Sequence, residues 1–300
     1  MRLAHVTDVH LLSLDGTRLR DFVNKRFAGG VNILLNRGRH HTAEVFDKLV
    51  DDLNRHGVEQ VACTGDVTNL SLESEFRFAR ARFDRLAAGP ANVLCVPGNH
   101  DNYIAETEGL FERAFEPYCT ADESWGWPDG DPWPVVRLRG DLALVGLTTS
   151  RPSGMLMGHG WVGETQLARL RAVLGDARLA DKLRVVVMHH PSAGRHARSW
   201  RRGLRDHQAF AAVIAETGAE LVLHGHEHID LEHHLDGPGG ARVPVHGVRS
   251  ASYAIASRTR SARYRVYTIR RDGAARPRLH RSESFTWSPE RKLFERDPVL

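Results

Sequence analysis

The chain has 300 residues, 41% hydrophobic and 26% charged, the balance of a globular protein with a substantial core, and a net charge of +4 with a pI near 9.2. Three cysteines, Cys63, Cys95 and Cys119, share no metal-binding spacing, which excludes a disulfide framework and zinc-finger chemistry. No window approaches the roughly 18–20 apolar residues of a membrane span, and Met1 to Val6 runs into Thr7-Asp8-Val9-His10 with no apolar signal segment, so the expected location is the cytoplasm.

Short β-branched runs alternate with helical stretches along the chain. Arg2 to Thr7 reads as a strand, and Thr42 caps a helix with Val45, Phe46, Leu49, Val50 and Leu53 on one face. Gln60 to Thr64 is the next strand, Phe76, Ala79, Phe83 and Leu86 mark a helix, and Asn92 to Val96 a third strand. A helical stretch is expected over about Tyr103 to Phe115. After a Trp/Pro/Gly-rich loop at Trp125 to Pro134, strands are expected at Val135–Arg139, Leu142–Leu147 and Arg184–Met188, with helices around Leu167–Leu174 and Ala209–Ile214. Beyond Glu220–Leu223 the pattern turns strand-like, notably at Arg263–Ile269 and Arg278–Phe285. Alternation followed by a strand-rich tail predicts an α/β core whose late strands form or complete a second sheet. No repeat and no Pro/Gly/Ser linker divides residues 1–300, which read as one domain with a basic insertion at 16–41 and C-terminal strands and tail at 257–300.

Five blocks carry chemistry: Asp8-Val9-His10, Gly65-Asp66, Gly98-Asn99-His100-Asp101, His189-His190-Pro191 and Gly225-His226-Glu227-His228. Each follows an apolar strand candidate, and in open α/β sheets ligands gather at the carboxyl ends of the strands. At a strand end, residues two apart point to one side, so Asp8 pairs with His10 and His226 with His228. Carboxylate, imidazole and amide donors without thiolate favour Mn, Fe or Zn in a reactive site. An Asp such as Asp66 can bridge two ions, and two ions clamp a phosphoryl group and lower the pKa of a bridging water. Taken singly, a Gly-Asp is a turn and an Asp-x-His a cap; five such blocks in order, each after a strand, point to a metal pair.

The set resembles the calcineurin-like metallophosphoesterase superfamily, whose pattern is Asp-x-His, Gly-Asp, Gly-Asn-His-Asp/Glu, a lone His and Gly-His-x-His, over residues 3 to about 256. The resemblance implies an αββα sandwich, two facing mixed β-sheets flanked by helices. It implies that Asp8, His10, Asp66 and His228 hold one metal, and that Asp66, Asn99, His189 and His226 hold a second. It also implies that His100 is catalytic, stabilising the transition state or protonating the leaving oxygen. His189 is preferred to His190 because it ends the strand, and the pair could be exchanged. His224 is read as a core or supporting residue. Asp101 either orients His100 or caps the following helix.

Gly65–Asn69, Pro97–Asp101, His189-His190-Pro191 and Gly160–Leu167 are most similar to the class III cyclic-nucleotide and glycerophosphodiester phosphodiesterases. The expected activity is therefore phosphodiester hydrolysis, with 3′,5′-cyclic nucleotides as one candidate substrate. Two arginine-rich stretches depart from that branch. The 16–41 insertion carries Arg18, Arg20, Lys25, Arg26, Arg37 and Arg39 among apolar residues, and Arg195, Arg198, Arg201, Arg202 and Arg205 surround Trp200. They are either ordinary solvated loops or a rim for a larger anionic, phospholipid-like diester or pyrophosphate, with Arg198, Arg201 and Arg202 as substrate-binding candidates. Such a rim is compatible with peripheral membrane contact. A nuclease also fits the donors and the basic charge, although only four of the 41 basic residues are lysine and charge balance alone does not make a nucleic-acid partner. A non-enzymatic scaffold would be expected to lack His100 or several ligands, and none is missing. The sequence leaves the oligomeric state open.

Overall fold

The computed structural model describes residues 1–18, 26, 40–154, 157–273 and 275–298. Their strands form two six-stranded mixed sheets. In the first, β1 (Arg2–Val6), β2 (Gln60–Cys63) and β3 (Val93–Cys95) run parallel. Against β1 lies antiparallel β10 (Arg263–Arg270), then β11 (Arg278–Ser288) and β12 (Leu293–Arg296). In the second sheet, β5 (Leu142–Gly146), β6 (Leu183–Val187), β7 (Leu221–His224) and β9 (Arg242–Gly247) are parallel neighbours. Antiparallel β4 (Val135–Arg139) and β8 (Leu231–Asp236) close its two edges.

The period-two pattern of the buried strands explains the layers. Leu142, Leu144, Val185, Val187, Leu221 and Leu223 share one buried cluster with Leu3, Val61 and Leu94 of the first sheet. The residues between them, Ala143, Val145, Val186 and Val222, belong to a second cluster with the helices α3 (Glu164–Leu174) and α4 (His207–Thr217). One face of the second sheet thus meets the first sheet and the other meets helices, because side chains alternate across a strand. The helices α1 (Ala43–Arg55) and α2 (Glu73–Phe83) cover the first sheet through Val45, Phe46 and Leu49 and through Phe76 and Phe83. The arrangement is the expected αββα sandwich.

Thr42 caps α1 as its sequence predicts, its hydroxyl accepting from Val45 N at 3.3 Å. The stretch Tyr103–Phe115 departs from expectation. It is not one helix but a 3₁₀ turn at Ala105–Thr107 and a short helix at Leu110–Ala114, separated by Gly109 in the left-handed region (φ 74°). The strand-rich tail also divides: β8 and β9 complete the second sheet, while β10, β11 and β12 return to β1. Within the 16–41 insertion, Arg26 donates to Leu70 O and Ser71 O at 2.8 and 2.7 Å. Arg20, Lys25, Arg37 and Arg39 lie outside the described residues.

Candidate metal centre

All five motifs leave the carboxyl ends of parallel strands: Asp8 and His10 follow β1, Asp66 β2, Asn99 and His100 β3, His189 β6, and His226 and His228 β7. Five of these residues adopt the left-handed backbone region, with φ of 50° at Asp8, 47° at His10, 55° at Asp66, 75° at His226 and 56° at His228. Asp and His tolerate that region better than most residues, at a cost of order 1–3 kcal/mol each. Backbone hydrogen bonds between loops hold them there, including Asp8 N to Gly65 O and His10 N to Asp66 O, both 2.9 Å. Close approach also requires a glycine at position 98, where a Cβ would sit 2.1 Å from Asp66 Oδ1.

Two donor groups result. His10 donates through Nδ1 to Thr68 O at 3.2 Å, because a carbonyl can only accept, which in the neutral ring leaves the lone pair on Nε2. That atom lies 3.1 Å from His228 Nε2, 3.7 Å from Asp66 Oδ2 and 3.9 Å from Asp8 Oδ1. In the second group His189 donates through Nδ1 to Thr64 O at 2.7 Å. Its Nε2 lies 3.2 Å from Asn99 Oδ1, 3.2 Å from His226 Nδ1 and 3.5 Å from Asp66 Oδ2. Burial lowers the pKa of His189 and His226, favouring the neutral imidazoles that ligate metals. Asp8 Oδ1 is buried and faces His228 Nε2 at 3.2 Å. A single proton on His228 Nε2 could satisfy one of these converging acceptors but not the set. Buried lone pairs and carboxylates aimed at common points fit cations, and they fit two of them.

A sequence model of the calcineurin-like phosphoesterase family matches residues 1–230. The chain belongs to that family. Membership, with these His and Asp donors, supports metal-dependent phosphoester hydrolysis at a dinuclear centre. Among solved structures, a dimetal phosphatase from Danio rerio is similar with a TM-score of 0.58 at 14% identity, over 89% of this chain and 91% of that one. A purple acid phosphatase from yellow lupin (Lupinus luteus) seeds is similar with a TM-score of 0.56 at 10% identity, over 98% of this chain, which spans 52% of the lupin chain. At such identities the likeness is one of fold. Comparison with curated proteins found no match. Among the described residues, no helix of this phosphoesterase is long and apolar enough to cross a membrane.

Around the donors, the phosphoesterase places residues that the motifs left undecided. His190 turns its ring nitrogens to Thr149 Oγ1 at 2.8 Å (Nδ1) and Gly158 O at 3.0 Å (Nε2), while His189 Nε2 turns to Asp66 Oδ2 at 3.5 Å. Asp101 does not cap the following helical turn, whose N-cap is Ile104. Its carboxylate accepts from Gly98 N, Val67 N and Thr68 N at 2.9, 3.2 and 2.9 Å, stapling the Gly-Asp loop to the Gly-Asn-His loop. His224 is buried, with Nδ1 3.1 Å from Gly225 O. His100 uses its backbone N–H on Asp66 Oδ1 at 2.7 Å and its Nδ1 on Asn69 O at 2.7 Å, and its ring stacks on Tyr103. Of the three arginines, Arg202 reaches the site, donating to His226 O at 2.9 Å. Arg198 instead lines a cleft with Ser192, His207 and His234, and the backbone carbonyl of Arg201 accepts from Gly158 N at 2.9 Å.

Sequence reading missed two neighbours. Asn69 ties the halves of the site, accepting from His100 and donating through Nδ2 to His10 O at 2.8 Å. His41 packs edge-on against His10 and His228, at centroid distances of 5.0 and 5.5 Å, with Nδ1 at 2.9 Å from Ser252 Oγ. Asn69 stood in the Gly-Asp-Val-Thr-Asn run, but its two bonds are tertiary; His41 carries no local signal at all.

Proposed function

We propose that the protein hydrolyses a phosphodiester, with Asp8, His10, Asp66 and His228 holding one metal ion and Asp66, Asn99, His189 and His226 holding a second. One observation carries this reading: Asp66 Oδ2 lies 3.7 Å from His10 Nε2 and 3.5 Å from His189 Nε2, so one carboxylate oxygen belongs to both donor groups. Mn, Fe or Zn suits the donors, and such a pair, when bound, supplies a water of lowered pKa at neutral pH and polarises the phosphoryl oxygens.

The chain's own residues do the rest. The second oxygen of Asp8 accepts from His226 N at 3.0 Å and from Thr7 Oγ1 at 2.9 Å, which fixes the carboxylate and the Gly-His-Glu-His loop against each other. His100 stands edge-on to His10, with ring centroids 5.0 Å apart. With Nδ1 engaged by Asn69 O, its Nε2 is the nitrogen that would meet a phosphoryl or leaving oxygen and, as an imidazolium, hand it a proton. Arg202, exposed beyond His226, adds positive charge to the mouth, and Arg198 and Arg201 are proposed to extend it toward a substrate larger than a cyclic mononucleotide. The diester assignment follows the likeness of the motif surroundings to the class III branch.

The test is a panel for the Mn-loaded protein: bis-p-nitrophenyl phosphate, 3′,5′- and 2′,3′-cyclic nucleotides, glycerophosphodiesters, phosphomonoesters and oligonucleotides. Diesters should outperform monoesters, and Asp66→Ala should lose at least one metal and all hydrolysis. A monoester preference would overturn the diester reading; full metal content with normal turnover in Asp66→Ala would overturn the bridge.

A further inference from the structure

Five large hydrophobic side chains stand exposed among the described residues: Leu14, Trp161, Trp200, Ile255 and Leu293. Four of them lie on segments at one edge of the molecule. Leu14 is on the segment leaving β1, Trp161 on that leaving β5, Trp200 on that leaving β6, and Ile255 on the connection from β9 to β10. These segments leave the carboxyl ends of parallel strands, the same ends that carry the metal-site side chains. The fifth, Leu293, opens β12 opposite Ser288 at the carboxyl end of β11, on the outer strand of the first sheet.

The two indoles share a ledge. Their loops are bound together by Gly158 N to Arg201 O at 2.9 Å, Gly160 N to Gly203 O at 3.0 Å and Arg205 N to Gly160 O at 2.9 Å. The ledge is tied to the metal centre through His190 Nε2 and Gly158 O at 3.0 Å and through Arg202 and His226 O at 2.9 Å. Trp161 is 53% exposed and Trp200 66%, although Arg205 stacks over the Trp200 ring. On the Ile255 segment, Ser250 donates to Asp8 O at 2.6 Å, so this side too is anchored at the metal ligands.

Charge matches the same edge. Residues 147–163 and 192–206 contain six arginines, all exposed, and a single carboxylate, Asp206; one of the six, Arg202, is paired with Glu227 of the neighbouring loop at 3.5 Å. Asp206 is turned inward, accepting from Val162 N at 3.1 Å and Gly163 N at 2.8 Å. Tryptophan partitions to the headgroup level of a bilayer, and guanidinium forks bind lipid phosphates, a pairing that gives reversible peripheral attachment. The aliphatic tips Leu14 and Ile255 decide against a single-stranded nucleic acid, which is met by aromatic stacking rather than by aliphatic insertion.

We propose that this edge docks on an anionic phospholipid bilayer, so that the metal centre opens onto the lipid headgroups. Docking does not depend on which ester is hydrolysed, and the two are read separately. The metal-loaded protein is to be sedimented with phosphatidylcholine vesicles, with vesicles of phosphatidylcholine and phosphatidylglycerol, and with the latter in the presence of a single-stranded oligonucleotide. It should bind the phosphatidylglycerol vesicles and not the neutral ones, release with added salt, and show a blue shift of tryptophan emission on binding. Trp161→Ser and Trp200→Ser should each weaken partitioning by about tenfold, the effect of one indole left in water. Both should still hydrolyse soluble bis-p-nitrophenyl phosphate. Absence of binding to phosphatidylglycerol vesicles would overturn docking, as would binding that neither tryptophan variant weakens. Release by the oligonucleotide, with the same tryptophan dependence, would transfer the surface to nucleic acid.

Discussion

His100 is held from several directions: its backbone N–H on Asp66, its Nδ1 on Asn69 and its ring on Tyr103. None of these contacts requires the imidazole as a metal ligand, so His100→Ala should retain both metals and the fold. Its kcat should fall by roughly 10²–10⁴, the range for general-acid help. The loss should shrink for p-nitrophenolate leaving groups, which need little protonation, and stay large for alkoxides; kinetics on paired substrates checks this. An equal loss for both would make the role purely electrostatic, and no loss would remove His100 from the reaction.

At the scale of elements, α2 begins on a buried charge. Leu72 offers no capping oxygen, and Glu75 reaches back to accept from Asn69 N, Leu70 N and Leu72 N at 3.3, 2.9 and 3.1 Å. This carboxyl holds the turn whose Asn69 joins His10 to His100. Burial raises its pKa to about 7 against the three N–H donors, which pull the other way. The folded state therefore keeps the proton to a higher pH than the unfolded chain does. Stability should fall as pH rises from about 4.5 to about 7 and level off above, by on the order of 3 kcal/mol from this group. Asp101, raised to about 7 chiefly by burial, slopes the same way, so the variant rather than the wild-type curve isolates Glu75. Glu75→Gln keeps an acceptor but loses the titration, and its urea midpoint should be flatter across that window. Identical slopes for the variant and the wild type would rule the effect out.

On the scale of the whole molecule, the two sheets deliver the motifs to one edge, and the loops beyond them set what can approach. Replacing Arg198, Arg201 and Arg202 together with Gln should raise KM for a large anionic diester while sparing bis-p-nitrophenyl phosphate. The metal-donor side chains are untouched, while charge at the mouth and the bond of Arg202 to His226 O are removed. Arg202 should account for most of the change, since it alone of the three is bonded to a site loop. Steady-state kinetics on both substrates decides it: unchanged KM for both, or cyclic AMP as the best substrate of the wild type, would make these arginines ordinary surface.

The periodicity of the strands, the helix faces behind α1 and α2, the Thr42 cap and the five motifs at strand ends were determined by local sequence, because each is written within a few residues. An α/β core with a second sheet was legible from the periodicity, and the αββα sandwich from the family resemblance that the motifs carry. Only the tertiary structure decided which histidine of the 189–190 pair faces Asp66, since that turns on whether Thr149 and Gly158 or Thr64 engage the ring. The same holds for Asp101 as a staple between loops, for the left-handed turns that aim Asp8, His10, Asp66, His226 and His228, and for the return of β10 to β1. His10 and His228 meet at 3.1 Å although 218 residues separate them. Such contacts depend on how two sheets close on each other, a property of packing across the whole chain that no window of neighbouring residues contains.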